Sequence, residues 1–279
     1  MIDLHLHTTA SDGRLTPEAL VDALAGKGIT TFAVTDHDTL AAFPAARAAA
    51  EAAGLRCVPG IEITAVHQQR DVHVLGYFFD SAHPELTAFL EKQRSDRRRR
   101  LTAMAERLTA LGVPVDLDGL IDGDSDAVGR ALGRPVLAAA LVKAGHVKTM
   151  HEAFERYLSA GRPAFMRRVG LEPEAVIALI GRAGGVSSLA HPAKLKHDEL
   201  IQPLAAAGLT AIEVFHPDHD PIDERRYAAI ARQFDLFVTG GSDYHGPGAG
   251  RVDGLGRVSL PAEEFDRLAA KAGWDEARA

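Results

Sequence analysis

Short stretches of this chain place nitrogen and oxygen donors at spacings that suit a metal ion. IDLHLH sets His5 and His7 two residues apart in a strand-like run, and ASDG follows with Asp12 in a turn. Side chains at i and i+2 of a strand leave the same face. The two imidazoles therefore converge, and the carboxylate arrives from the loop beyond. Further on, VTDHD offers His37, GIEIT offers Glu62, DVHVLGY offers His73, SSLAHP offers His191 and GGSDYH offers Asp243 and His245. Nearly all stand where an apolar run stops. Nine donors exceed what one tetrahedral zinc uses, which predicts two or three divalent ions. With no thiolate in the set, manganese, iron and zinc all fit. Such a centre suits hydrolysis of a phosphate ester, because ions about 3.5–4 Å apart generate a bridging hydroxide and stabilise the leaving oxygen.

The remaining polar residues read more plainly. Asp36 and Asp38 flank His37 and are expected to orient its ring or cap a helix. His216 and His219 in VFHPDHD either line the pocket or serve a turn. His67, His146, His151 and His197 read as ordinary hydrogen-bonded histidines. Arg94, Arg97, Arg98, Arg99 and Arg100 form a basic run on a helix, where a solvated face is the better expectation than a nucleic-acid surface. GPGAGR after His245 resembles a phosphate loop only loosely, without a P-loop lysine.

The elements that must hold these donors follow a strand–helix alternation. IDLHLH is a strand; Thr16-Pro17-Glu18 opens a helix with a capping hydroxyl and a proline at its first position. TTFAVTDH, CVPGIEIT and DVHVLGYFF are further strands, the last two close enough to pair, and AAFPAARAAAEAAG is a helix ending at Gly54. From Ser81 to Pro163 the pattern turns helical: ELTAFLEKQRSDRRRRLTAMAERLTALG, GRALGRPVLAAALVKAG and MHEAFERYLSAG. That is too long for a βα loop, so residues 101–167 read as an inserted helical domain closing over one end of a main domain formed by 1–100 and 168–279. Alternation resumes with the strands VSSLAH, AIEVFH and LFVTGGSDYH, and GRVSL and a last helix finish the chain. Repeated alternation predicts an α/β fold with a parallel sheet, open or closed into a barrel. In a barrel, strand ends share the face where active sites gather.

Bulk properties set limits. The net charge of −7 argues against a broad nucleic-acid surface. A single cysteine, Cys57, rules out an intramolecular disulfide framework and fits a reducing compartment. The first residues lack the apolar run of a signal peptide and no stretch reaches a membrane span, so the expectation is a cytoplasmic protein.

Taken in order, HLH…D, TDH, GIE, H, AHP and SDYH resemble the polymerase-and-histidinol-phosphatase (PHP) domain, within the wider amidohydrolase group. The resemblance implies a distorted (β/α)7 barrel and a trinuclear metal site, most readily of manganese. Carried over by motif, His5, His7, Glu62 and Asp243 would hold one ion. Glu62 would bridge to a second, completed by His73 and His191, and Asp12, His37 and His245 would serve a third. GRPVLAAALVKAG…EAFERYLSAGRPAF resembles the small phosphoesterases that remove the 3'-phosphate of nucleoside 3',5'-bisphosphates or trim short 5'-phosphorylated RNA from its 5' end, although the histidine usual after GRP is Val136 here. A second phosphate on the substrate needs cations away from the metals. Arg130, Arg134 and Lys194 are the candidates, arginine being able to grip phosphate with two parallel hydrogen bonds. The competing readings are a histidinol-phosphate phosphatase, a noncatalytic metal- or RNA-binding PHP module, and a metal-dependent amidohydrolase.

Overall fold

Thr16 accepts a hydrogen bond from Ala19 N, and Pro17 occupies the first helical turn. Helix α1 (Pro17–Gly26) thus begins where its cap predicts. Helix α2 (Phe43–Ala53) ends on Gly54, whose φ of 67° is the left-handed value that stops a helix. The computed structural model that gives these elements describes residues 1–117, 129–248 and 254–274.

Strands β1 (Ile2–Leu6), β2 (Thr31–Val34) and β3 (Arg56–Val58) form a parallel sheet in sequence order. A second sheet holds β4 (Gly60–His67), β5 (Arg70–Tyr77), β6 (Val186–Leu189), β7 (Ala211–Phe215) and β8 (Phe237–Gly240), again in sequence order. Within it β5 runs antiparallel to both β4 and β6, while β6, β7 and β8 are parallel. CVPGIEIT, expected as one strand, is therefore two, in different sheets. Pro59 has no N–H for a ladder, and its carbonyl accepts from Phe78 N at 3.0 Å. Gly60 then lets β4 press against β2, since a Cβ there would lie 2.9 Å from that of Ala33. The β4–β5 hairpin turns on Gln68 and Gln69, with φ of 46° and 69°, the two positive values a type I′ turn requires.

The two sheets meet at isolated bridges, Leu6 with Tyr244 and His37 with Glu62. The described residues thus form an α/β fold of eight strands in two sheets, with an antiparallel hairpin interrupting the expected parallel alternation. GRVSL is not a strand either. It runs beside β1 through Ile2 N to Ser259 Oγ and Leu260 N to Ile2 O, both 2.9 Å.

The helices after β5 are α3 (Pro84–Ala110), α4 (Arg134–Lys143), α5 (Met150–Ala153, continued by a π-helical turn at Phe154–Leu158), α6 (Pro173–Arg182), α7 (Pro192–Leu195), α8 (Ile201–Ala206), α9 (Pro221–Gln233) and α10 (Ala262–Ala272). α3 passes from one core to another. Its Leu86 and Leu90 pack with Ile61, Val74 and Ile180 of β4, β5 and α6. Its Leu101, Met104 and Leu108 pack with Leu137, Leu141 and Leu158 in a separate cluster, where Val136 also lies. The expected boundary at 101 falls inside this continuous helix, where its buried residues change partners. Residues 118–128 of the expected insert, and 249–251 of GPGAGR, lie outside the described residues. No described helix is long and apolar enough to cross a membrane.

Candidate metal centre

His5 and His7 leave β1 fully buried, as their two-residue spacing requires. The end of β8 is drawn against them by Gly241: a Cβ there would sit 2.4 Å from that of His5, so only glycine allows the approach. Asp3, on the same strand, accepts from Ser242 N at 2.9 Å and fixes the register of the two chain segments. Burial pushes the Asp3 carboxyl up to about 6.

Glu62 is the hub. Its Oε1 lies 2.7 Å from His73 Nδ1 and 3.2 Å from His191 Nε2. Its Oε2 lies 3.0 Å from His37 Nδ1, 3.3 Å from His7 Nε2 and 3.4 Å from His5 Nε2. Five imidazoles thus surround one buried carboxylate. Glu62 is not at a strand end as expected but lies within β4, beside His73 within β5, and the His37–Glu62 bridge joins it to the end of β2.

Asp12, His37 and His245 gather beside the hub together with His7. His245 Nε2 is 3.3 Å and His37 Nε2 3.9 Å from Asp12. Asp243 completes the set, its Oδ1 3.3 Å from His7 Nε2 and 3.6 Å from His5 Nε2. Among the described residues, ligand atoms close enough to share an ion occur in four overlapping groups: His7, Asp12, His37 and His245; His5, His216 and Asp243; His5, Glu62 and His191; His37, Glu62 and His73. All nine expected donors fall in these groups. Their division differs from that carried over by motif, because His7 sits with Asp12 and because His73 and His191 fall in separate triads around Glu62.

The chemistry of this donor set fits divalent cations. His5 Nε2, both His7 ring nitrogens, His37 Nδ1 and Glu62 Oε2 are buried yet make no hydrogen bond, although they face one another at close range. Buried polar atoms without partners are rare and costly, and the lone pair that each neutral ring and the carboxylate can offer is what a cation accepts. Burial would raise the pKa of Glu62, but His37, His73 and His5 outweigh it and hold the carboxyl well below the usual range. Burial pushes His37 down to about 3 and His191 to about 4, keeping both rings neutral, the form that ligates. His5 goes the other way. Burial would lower it, yet Glu213, Asp243 and Glu62 raise it well above the ordinary imidazole value. Three carboxylates about one ring demand positive charge.

One residue of the centre escaped the sequence reading, and one that it left open is placed here. Glu213 on β7 is fully buried, its Oε1 2.9 Å from His5 Nδ1 and its Oε2 accepting from His191 N at 2.7 Å, so it orients two donors at once. An acid inside the apolar run AIEVF was the available signal. His216, left open between pocket and turn, has Nε2 3.2 Å from Asp243 Oδ2. Its Nδ1 accepts from Asp218 N at 3.0 Å, so the neutral ring carries its proton on Nε2 and donates it to Asp243. His219 lies behind it, with Nδ1 bonded to Val214 O. His67, His146, His151 and His197 pair elsewhere, with Glu172, Pro114 O, Glu155 and Glu199.

Asp36 and Asp38 have other partners than the His37 ring expected for them. Asp36 receives Thr8 N and the Ser11 hydroxyl and ties down the loop before Asp12. Asp38, at φ 52°, receives Thr64 N at 2.8 Å, Arg97 Nε at 2.6 Å and Arg168 Nη1 at 3.3 Å. Arg97 is accordingly 8% exposed rather than part of a solvated face. It also reaches Leu132 O and Thr64 Oγ1.

A cleft of about 170 Å3 is lined both by Asp12, His37 and His73 and by Arg97, Arg134 and Arg168. Of the expected phosphate-binding residues, Arg134 lines this cleft, its guanidinium 3.5 Å from Asp71 and stacked near Phe154 and Phe165. Lys194 stands on the far side beside His73 and His191, 3.3 Å from Asp243. Arg130 is absent from the cleft lining and gives its Nε to Thr9 O at 2.7 Å, anchoring the Asp12 loop. Arg168 was not expected.

Known proteins are similar to this chain in sequence and in fold. The 5'-3' exoribonuclease Rnm of Escherichia coli is 36% identical over 252 residues, 88% of this chain and 85% of that protein. The 3',5'-nucleoside bisphosphate phosphatase of Chromobacterium violaceum is 33% identical over 257 residues, 90% of each chain. A crystal structure from Bifidobacterium adolescentis, assigned as a metal-dependent phosphoesterase, superposes with a TM-score of 0.89 at 33% identity, covering 100% of this chain and 98% of the other. The PHP domain itself matches over residues 3–162, from the first strand through the helical segment. With the hub at Glu62 and a match over more than half its length, this chain belongs to the PHP domain family.

Proposed function

We propose that this chain is a metal-dependent phosphoesterase that removes the 3'-phosphate of nucleoside 3',5'-bisphosphates, adenosine 3',5'-bisphosphate among them, and that also trims short 5'-phosphorylated RNA from its 5' end. The observation that carries the reading is that one cleft is lined both by His37 and His73 of the Glu62 donor cluster and by Arg134 and Arg168. A monophosphate needs only the donors; a substrate with a second phosphate uses the arginines as well. The names of the Escherichia coli and Chromobacterium violaceum relatives support the same class of substrate.

His5, His7, Asp12, His37, Glu62, His73, His191, Asp243 and His245 would hold two or three divalent ions, manganese first among them. When bound, these ions supply charge stabilisation at the phosphoryl oxygens and a water of lowered pKa. The chain does the rest. Arg134 and Arg168 grip the second phosphate and aim the ester at the donors, and Lys194 neutralises oxygen charge from the far side. Glu213 keeps His5 and the His191 backbone in place as charge builds up. Water's oxygen bonds to phosphorus, the ester bond to the 3'-oxygen breaks, and that oxygen leaves with the bonding pair and takes up a proton. No covalent enzyme intermediate is needed.

We further read residues 101–167 as a domain that covers the substrate cleft, supported by the separate apolar cluster of its helices and by Arg134 at the head of α4. The two sheets are read as the arcs of one distorted (β/α)7-type barrel, supported by the two bridges that join them. The test is direct. Manganese-loaded protein given adenosine 3',5'-bisphosphate releases phosphate and leaves 5'-AMP, and a chelator abolishes this. Formation of 3'-AMP instead, or turnover insensitive to the chelator, defeats the proposal.

A further inference from the structure

A second cleft, of about 350 Å3, lies on the seam between α3 and the segment Met166–Val169. Arg97, Arg99, Arg100, Arg167 and Arg168 line it, and Asp96 is the one acid among the lining residues. Arg97 and Arg168 also line the cleft that contains His37 and His73. The two clefts therefore adjoin at these guanidiniums, and a ligand that reaches Arg168 in the first meets the second if it continues.

The acids nearby are already spent on other arginines. Asp96 is engaged by Arg99 at 2.7 Å, and Asp38 is shared by Arg97 and Arg168. Arg168 and Arg134 divide Asp71, each at 3.5 Å. Among the described residues neither Arg100 nor Arg167 is paired with a carboxylate; Arg100 gives its Nε to Met166 O. Burial, with Arg134 beside it, pulls Arg100 down to about 10, a sign of positive charge held without enough counter-charge. The second cleft thus keeps two guanidiniums for an anion from outside.

The direction of the substrate decides which anion that is. With the 3'-phosphate at the donors and the 5'-phosphate on Arg134 and Arg168, a chain extended through its 3'-oxygen leaves on the metal side. Only a group attached to the 5'-phosphate itself continues past Arg168. A second phosphate there suits the lining, because arginine grips phosphate with two parallel hydrogen bonds. The volume is within the range of small-ligand sites, roughly 300–1,000 Å3, and exceeds what one phosphate needs. Met166 lines it and Val169 is 78% exposed, which leaves apolar surface for a group esterified to that phosphate. We propose that Arg100 and Arg167 hold the second phosphate of a 5'-diphosphate, free or esterified, and that nucleoside 3'-phosphates so extended are substrates of this chain. The inference rests on the phosphoesterase reading for which end of the nucleotide lies at the donors. Water's oxygen bonds to the 3'-phosphorus, and the bond from that phosphorus to the 3'-oxygen breaks. The 3'-oxygen leaves with the bonding pair and takes up a proton. The 5'-diphosphate stays whole, so the products are inorganic phosphate and a nucleoside 5'-diphosphate.

Arg167 is exposed and does not line the first cleft, so Arg167→Ala tests the proposal without disturbing the donors. In manganese-loaded wild type, KM for adenosine 3'-phosphate 5'-diphosphate lies about tenfold below that for adenosine 3',5'-bisphosphate. The nucleotide product is adenosine 5'-diphosphate. In Arg167→Ala the ratio of the two KM values approaches one. Binding of the products gives a second reading that needs no turnover. By calorimetry, adenosine 5'-diphosphate binds wild type more tightly than 5'-AMP does, and Arg167→Ala removes the difference. Equal KM values for the two substrates in wild type overturn the proposal. So does a preference for the diphosphate that survives in Arg167→Ala, which would place the second phosphate at the metals. If the preference among products is seen and lost in the variant while no 3'-phosphate is turned over, the cleft stands and the phosphoesterase reading falls. If the bisphosphate is hydrolysed with no such preference, the reverse holds.

Discussion

The donor cluster and the arginine seam handle buried charge in opposite ways. Around Glu62, imidazoles and carboxylates crowd together with their lone pairs unsatisfied. Around Asp38, each charge already has a partner within the protein: Arg97, Arg168 and the Thr64 amide. The first arrangement leaves buried donor atoms that a divalent cation would satisfy; the second pairs the Asp38 carboxylate within the protein and ties α3 to Arg168. Glu62 is placed where it could hold an ion, Asp38 where it fixes the position of its neighbours.

The sharpest way to break this contrast is at the hub. Glu62→Gln keeps the size of the side chain and removes the charge, and kcat on any phosphate ester falls about a thousandfold or more, several kcal/mol of transition-state stabilisation being lost. The fold persists, as circular dichroism and a melting curve will record. An unfolded Glu62→Gln protein would mean that the cluster, like the seam, is chiefly structural.

Asp38→Asn should have the converse signature. It leaves Arg97 and Arg168 facing each other in a buried site, a loss of about 3–5 kcal/mol in stability. Burial would raise the Asp38 pKa, but Arg97 and Arg168 outweigh it and hold it below the ordinary value. A depressed carboxylate contributes its stability above the unfolded-state pKa, about 3.9, and loses it as pH falls through the folded value. The gap between wild type and Asp38→Asn is therefore full at pH 7 and closes in acid. Denaturant titrations at both pH values measure it; a gap that widens in acid reverses the sign and removes the ion pair from the explanation.

Glu213→Gln lies between the two regions. It touches no substrate, but it orients His5 and the His191 backbone. Metal affinity should drop about 10–100-fold, as for other groups that fix ligands. Excess metal then restores kcat. The smallest effect is expected at Arg134: Arg134→Ala raises KM for a bisphosphate about tenfold and scarcely changes it for a monophosphate, a charge-assisted hydrogen bond being worth about 1.5–3 kcal/mol. Equal losses on both substrates would assign Arg134 to the structure of α4 instead.

How much of this was legible in the sequence differs between the same two regions. All nine expected donors could be named because their types are rare in apolar strands; seven stand at or beyond strand ends, while Glu62 and His73 reach the cluster from within the β4–β5 hairpin. Local signals also placed α1, through Thr16 and Pro17, and the end of α2, through Gly54. The break at Pro59 was written in the residue itself but hidden by the apolar run around it. The hairpin at Gln68 and Gln69 carries no glycine or asparagine to announce two left-handed residues. The seam was opaque for a different reason. Whether Arg97 points to solvent or to Asp38 depends on a partner 59 residues away, and periodicity on one helix says nothing of it. Glu213 was missed, and His216 left open between pocket and turn, because orienting groups need only one buried contact, which sequence does not display.

The most direct measurement is the metal content of the protein, by elemental analysis after equilibration with manganese and removal of free ion. Two or three ions per chain are expected in wild type, with loss of at least one in Glu62→Gln and no loss in Asp38→Asn at a temperature where both remain folded. Wild-type protein that retains no ion, or a Glu62→Gln protein that retains the full number, would leave the Glu62 cluster without the role argued for it.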